Sequence, residues 1–193
     1  MKEVCSWVDS DNSLCLSYHN EQWGVPVHDD TTLFEMITLE GAQAGLSWIT
    51  ILKRRDSYKA AFDCFAPSIV AGYKEDKIKT LLNDPGIIRN RMKILSTINN
   101  AAAFLKVQEE FGSFSSYLWE FVNDKPIVNY YKTFDEIPAK TELSDTISRN
   151  MKKRGFTFFG TTICYAFMQA TGIVNDHQTS CFRHKEIVES YTK

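Results

Sequence analysis

Residues 143–170 read LSDTISRNMKKRGFTFFGTTICYAFMQA, and the reading of this stretch decides the fold. Leu143–Arg154 and Thr161–Ala170 carry helical patterns, whereas Phe156-Thr157-Phe158-Phe159 between them has strand propensity. Gly155 and Gly160 bound that short run, and a tight connection between two helices explains both glycines better than a lone strand does. The unit is therefore a helix, a Gly-bounded hairpin and a second helix. It exposes backbone N–H groups at Gly160 and Thr161, where the second helix begins. A helix start attracts phosphate through its free amides and its dipole. Residues 144–165 carry Arg149, Lys152, Lys153 and Arg154 against Asp145, a local charge of +3 that suits a DNA backbone. An ordinary helical hairpin with a solvated basic face gives the same pattern.

Working outward, the other signals are also helical. Asp29 and Asp30 can cap a helix over Thr31–Ala44, with Leu33, Met36, Ile37 and Ala44 on one face. Ser47 can cap the next, Trp48–Ala60. Further helices are expected over Pro67–Ala71, Glu75–Leu82, Arg89–Phe111 and Ser115–Val122. Residues before Asp29 read as irregular structure or short helices, and Asp124–Thr141 reads mostly as loop. The expectation is an all-α single domain over residues 1–193, built of two helical lobes.

Composition narrows the class. With 44% hydrophobic and 24% charged residues and a net charge of −2, the 193-residue chain fits an ordinary globular protein. No apolar run approaches the roughly 20 residues of a membrane span. Five scattered cysteines and an N-terminus without an apolar stretch point to the reducing cytoplasm rather than to a disulfide scaffold. Nothing in the sequence demands an oligomer, so a monomer is expected.

Four groups of residues could carry chemistry. Glu40 falls on the apolar face of the Thr31–Ala44 helix, and a buried carboxylate often marks a site; a rim glutamate or a bond to a helix end would look alike. Trp7, Tyr18, Trp23 and Trp48 crowd the first quarter. Aromatic walls around one carboxylate suit a flat, electron-poor or cationic base, but tryptophans also build cores. Cys5, His19, His177 and Cys181 could hold one tetrahedral zinc, since His177 and Cys181 have helical spacing; with four His and five Cys, chance pairs are an alternative. Protein would fill all four positions, which makes such a metal structural. Finally, Leu46 in the Gly45-Leu46-Ser47 link could wedge into a base stack or pack as a hydrophobic staple on Ile51.

Longer strings carry a resemblance. They are Cys5-Ser6-Trp7, Tyr18 through Pro26, Leu39 through Thr50, Gly86-Ile87-Ile88-Arg89, Lys153 through Phe156, Gly160 through Tyr165, Phe167 through Ala170 and Val174-Asn175-Asp176-His177. Over almost the whole chain the sequence resembles the 3-methyladenine DNA glycosylase I family of bacterial base-excision repair enzymes. The resemblance implies a helix-hairpin-helix DNA glycosylase fold with one structural zinc ion, held by Cys5, His19, His177 and Cys181. It implies that Glu40, Tyr18 and Trp48 contact an extruded base and that Trp7 and Trp23 line the pocket. Gln43 and Leu46 would fill or probe the duplex gap, and the hairpin with Gly160, Thr161 and Lys153 would grip the backbone. Double-stranded alkylated DNA would be the substrate and free 3-methyladenine a product. Asn175 stands where the wider superfamily usually has a catalytic aspartate, as in the rest of this family. Cys15 stands where the family has a tyrosine, which puts one aromatic wall in question.

A non-catalytic helix-hairpin-helix DNA-binding module is the main alternative, and it would bind methylated DNA without releasing a base. A glycosylase with another lesion range and a zinc-dependent hydrolase are further alternatives.

Overall fold

The structure is a computed structural model describing residues 2–191. Its helices are α1 (Ser13–Glu21), α2 (Asp30–Gln43), α3 (Trp48–Leu52), α4 (Arg55–Ala61), α5 (Pro67–Val70), α6 (Glu75–Asn83), α7 (Arg91–Phe111), α8 (Phe114–Trp119), α9 (Glu142–Lys153), α10 (Thr161–Ala170) and α11 (Phe182–Tyr191). One two-residue parallel pair interrupts the helical pattern: β1 (Ile127–Val128) runs beside β2 (Val174–Asn175).

The deciding stretch folds as helix, turn, helix, with α9 and α10 packed together and α10 also against α2. Thr141 caps α9 in a reciprocal box with Ser144. Of the two bounding glycines, only Gly155 adopts left-handed backbone, at φ 96°. Gly160 is extended and serves as the N-cap of α10. The second left-handed residue is Phe158, at φ 52°. Helix α7 holds the turn in this shape: Asn99 Nδ2 donates to the Gly155 carbonyl at 2.6 Å, and Asn100 exchanges bonds with Thr157 O and N at 2.9 and 2.8 Å.

Outside the deciding stretch, one expected helix divides and two further helices form. A nine-residue helix, α1, forms where only weak periodicity was legible, because Asn12 Oδ1 accepts the Leu14 and Cys15 amides. The single helix expected over Trp48–Ala60 breaks at Lys53–Arg54 into α3 and α4. The break lets Arg55 meet Glu35 at 2.7 Å and also bond Gln22. Ser47 occupies the N-cap of α3, but its hydroxyl meets Thr50 Oγ1 instead of a backbone amide. Helix α11 was not anticipated at all.

The N-terminal and C-terminal segments are stitched together through backbone. Gly24 N–H donates to Gln169 O, Val27 N–H to Thr171 O, and Phe182 N–H to Glu3 O, each at 3.0 Å. Gly172, at φ 69°, makes the first contacts possible, since a Cβ there would collide with the Val25 and Pro26 backbone. Gly172→Ala is expected to destabilise the protein by about 3 kcal/mol or more, because backbone cannot move aside as a side chain can. Urea denaturation of the purified variant checks this; a loss below about 1 kcal/mol would contradict the close approach.

Candidate active site and metal centre

A cavity of ≈ 340 Å³ opens between α1, α2, α3 and α10. Its lining includes Trp7, Tyr18, Trp23, Glu40, Gln43 and Trp48, together with Phe134, Ile137, Ala166 and Gln169. Thus the predicted carboxylate and all four predicted aromatics share one space. Helix α2 places Glu40 there through its buried face, which also carries Leu33, Met36, Ile37 and Leu39. Glu40 is only 4% exposed. Burial raises its carboxyl from the ordinary 4.5 to about 8, because desolvation disfavours the charged form. Tyr18 forms the neighbouring wall, its ring 5.4 Å from that of Trp48. Its hydroxyl is pushed well above its usual range by burial and, second, by the charge of Glu40. Trp7 presents a buried Nε1 with no hydrogen-bond partner.

Phe134 and Ile137 were not anticipated. They come from the 124–141 loop, where a 3-10 turn at Phe134–Glu136 is fixed by a capping box between Thr133 and Glu136. The Thr-x-x-Glu spacing was the available sequence signal. Cys15 is buried and is not among the residues that line the cavity.

Beside the cavity, Cys5, His19, His177 and Cys181 bring four ligand atoms within 4.8 Å of one another, all on buried residues. Cys5 Sγ lies 3.4 Å from His177 Nδ1, and Cys181 Sγ lies 3.5 Å from both His19 Nε2 and His177 Nδ1. The outer ring nitrogens are engaged elsewhere. His19 Nδ1 meets Asn20 Oδ1 at 2.8 Å and His177 Nε2 meets the Trp23 carbonyl at 2.9 Å. Both partners accept, so each imidazole carries its proton outward and turns a lone pair toward the thiols. The Cys5–Cys181 contact lowers the Cys181 thiol and raises that of Cys5, so one negative charge is already favoured inside the cluster. The cluster and the cavity share walls. Trp7 lies edge-on to His19 at 5.5 Å, and Trp23 lies edge-on to His177 at 4.6 Å.

The hairpin forms a separate groove of ≈ 800 Å³, lined by Arg149, Lys152, residues 155–159, Gly160 and Thr161 among others. Thr161 Oγ1 bonds Ser144 Oγ at 2.9 Å. Lys153 is exposed at the end of α9 but lies outside the groove lining. Arg154 departs from the expected basic face. It pairs with Glu110 at 2.6 Å and stacks over Phe111 and Tyr117, so it serves packing. At the tip between α2 and α3, Leu46 stands 37% exposed while Ile51, its possible staple partner, is fully buried. Gln43 Nε2 donates to Leu46 O at 2.8 Å, and Lys93 Nζ donates to Ala42 O and Ala44 O, both at 2.8 Å. The tip that carries Leu46 is thereby anchored to the cavity wall.

The profile of the methyladenine glycosylase family matches residues 7–184. The chain belongs to this family. It is 51% identical to DNA-3-methyladenine glycosylase 1 of Escherichia coli K12 over 179 residues, 93% of this chain and 95% of that one. A crystal structure of 3-methyladenine DNA glycosylase I superposes with a TM-score of 0.90 at 48% identity, covering 93% of this chain and 98% of that one. A variant of 3-methyladenine DNA glycosylase I in complex with 3-methyladenine superposes with a TM-score of 0.89 at 33% identity, covering 92% and 95%. Methyladenine glycosylase membership accounts for the mostly helical architecture. Among the described residues no helix is long and apolar enough to cross a membrane.

Proposed function

We propose that this protein is a DNA repair glycosylase that hydrolyses the N-glycosidic bond of 3-methyladenine in alkylated duplex DNA. The observation that carries the reading is Glu40, a buried carboxylate in a cavity walled by Trp7, Tyr18, Trp23 and Trp48. 3-Methyladenine in DNA is cationic and leaves as a neutral molecule, so its glycosidic bond is already weak. No strong acid is needed. The protein must instead extrude the base, stabilise an electron-deficient sugar and admit water to C1′. Glu40 accepts a hydrogen bond from the base and favours its cation. Trp48 stacks on the base and Tyr18 orients it, while Trp7 and Trp23 close the walls. Enclosure from water strengthens each of these charge interactions.

The DNA contacts follow from the surface. The helix-hairpin-helix groove, with Gly160 and Thr161 at the start of α10 and Arg149, Lys152 and Lys153 nearby, holds the phosphate backbone. Leu46 wedges into the stack and Gln43 probes the vacated position. The Cys5–His19–His177–Cys181 cluster fits zinc. A tetrahedral site with its usual bond lengths has S···N edges of about 3.6 Å, close to the separations of 3.4 and 3.5 Å found. Cys5, His19, His177 and Cys181 would hold the ion between distant segments of the chain, where it would serve as a structural cross-link.

Among the described residues no lysine lines the cavity to form a Schiff base. The protein, incubated with methylated duplex DNA, is therefore expected to release 3-methyladenine, leave the strand uncut at the abasic site, and give no adduct with borohydride. Chromatography of the released base checks this. Tight binding with no release would favour the non-catalytic DNA-binding module instead.

A further inference from the structure

Three donors converge on one enclosed carboxylate behind the cavity. Asp176 is fully buried. Its Oδ1 accepts from Asn129 Nδ2 at 2.6 Å, and its Oδ2 accepts from the Tyr165 hydroxyl at 2.6 Å and from Gln169 Nε2 at 2.8 Å. The small parallel pair exists in the right place for this. Its register continues as Asn129 N–H donates to Asn175 O, which sets the Asn129 side chain beside Asp176. Of these residues only Gln169 lines the cavity.

The consequence lies in the orientation of one amide. A carboxylate only accepts hydrogen bonds, so Gln169 must turn its Nε2 toward Asp176. Its Oε1 is left on the other branch of the amide, with no bond to another side chain among the described residues. We infer that Gln169 is a specificity-determining residue that presents Oε1 as a fixed acceptor to the exocyclic amino group of the base, and that Asp176 is the positioning residue that fixes it. The inference rests on the reading of the cavity as a 3-methyladenine pocket. An adenine-derived base offers two amino protons there, and Glu40 and Gln169 supply two acceptors on one cavity. A base with a carbonyl oxygen at the same carbon would set acceptor against acceptor, and a buried unpaired polar group is heavily penalised. Asp176 therefore acts on the cavity through its neighbour, one residue from Asn175, whose own side chain is turned to the His184 carbonyl and the His177 amide.

The test compares free 3-methyladenine with 3-methylhypoxanthine, which keeps the methyl group and replaces amino by oxo. Binding of each is measured by tryptophan fluorescence for the wild type, Gln169→Leu and Asp176→Asn. The wild type is expected to prefer 3-methyladenine by about tenfold or more. Gln169→Leu removes the acceptor, and the preference falls by about tenfold. Asp176→Asn can donate to Oε1, letting the amide turn Nε2 toward the base, so the preference moves toward the oxo base. A thermal melt of each variant confirms folding; should Asp176→Asn not fold, Gln169→Leu carries the test alone. A preference unchanged within about twofold in the folded variants would overturn the inference. Failure of the wild type to bind 3-methyladenine at all would instead overturn the reading of the pocket.

Discussion

Replacing Glu40 by glutamine slows release of 3-methyladenine from duplex DNA by about 10²–10³-fold while making the protein more stable in mild alkali. The two effects have one origin. Glu40 is buried and has no ion-pair partner among the described residues, and burial raises its carboxyl to about 8. A native state that holds this proton more tightly than the unfolded chain is favoured at low pH. The stability from the neutral carboxyl is fully present below the ordinary value of 4.5 and is lost as pH rises through about 8. The loss amounts to roughly 4–5 kcal/mol by about pH 9. Glutamine cannot ionise, so urea melts of the variant should lack this slope, and its advantage over the wild type should grow with pH. Catalysis runs the other way. A cationic base needs the carboxylate, so kcat/KM should climb between about pH 6 and 8 in the wild type and stay flat in Glu40→Gln. A variant with full activity, or one with the wild-type stability slope, would remove Glu40 from the role given to it. The charge to which the proposed mechanism assigns selectivity is the charge that folding resists, as is common where an active site carries a group the core would otherwise exclude.

Removing the metal should have the second large effect. The purified protein is expected to contain about one zinc per chain, and a strong chelator should lower the melting temperature by roughly 10 °C or more. Cys181→Ser should reproduce the loss in the absence of chelator, and Cys64→Ser, at an exposed thiol, should not. Elemental analysis together with the melt decides this; a zinc-free protein with an unchanged melt would show that the four residues pack without a metal. Affinity for 3-methyladenine should fall in parallel, because Trp7 and Trp23 rest on the edges of His19 and His177.

Much of this was legible before folding was considered. The α9–turn–α10 unit shows in its periodicity and its Gly155, and Glu40 betrays itself as a charge on the apolar face of α2. What escaped has a weak local signature or none. Phe134 and Ile137 reach the cavity from a segment without any period, positioned by one capping box. The β1–β2 pair is two residues long and joins segments nearly fifty positions apart, a distance that no window of sequence spans. Helix α11 buries few residues, His184 and Ile187 among them, and its many charges mask the pattern. Arg154 shows a different limit. Its charge was visible, but the sequence could not say that Glu110, Phe111 and Tyr117 would take it from the basic face of the hairpin. The Trp48–Ala60 helix failed for a related reason, as Arg55 follows the break and meets Glu35 and Gln22, partners that lie far from it in sequence.

The four-residue cluster also sets a timetable for the newborn chain. His19 must wait for Cys181, 162 positions later, before the two side chains can meet. Until synthesis is nearly finished, the tryptophans of the first quarter have no imidazole edge from His177 to lean on. A ribosome-bound or truncated product that stops short of Cys181 would thus carry Glu40 and the rings of the first quarter without the completed cluster beside them, so the walls that Trp7 and Trp23 share with it close only once the chain has been made past that cysteine.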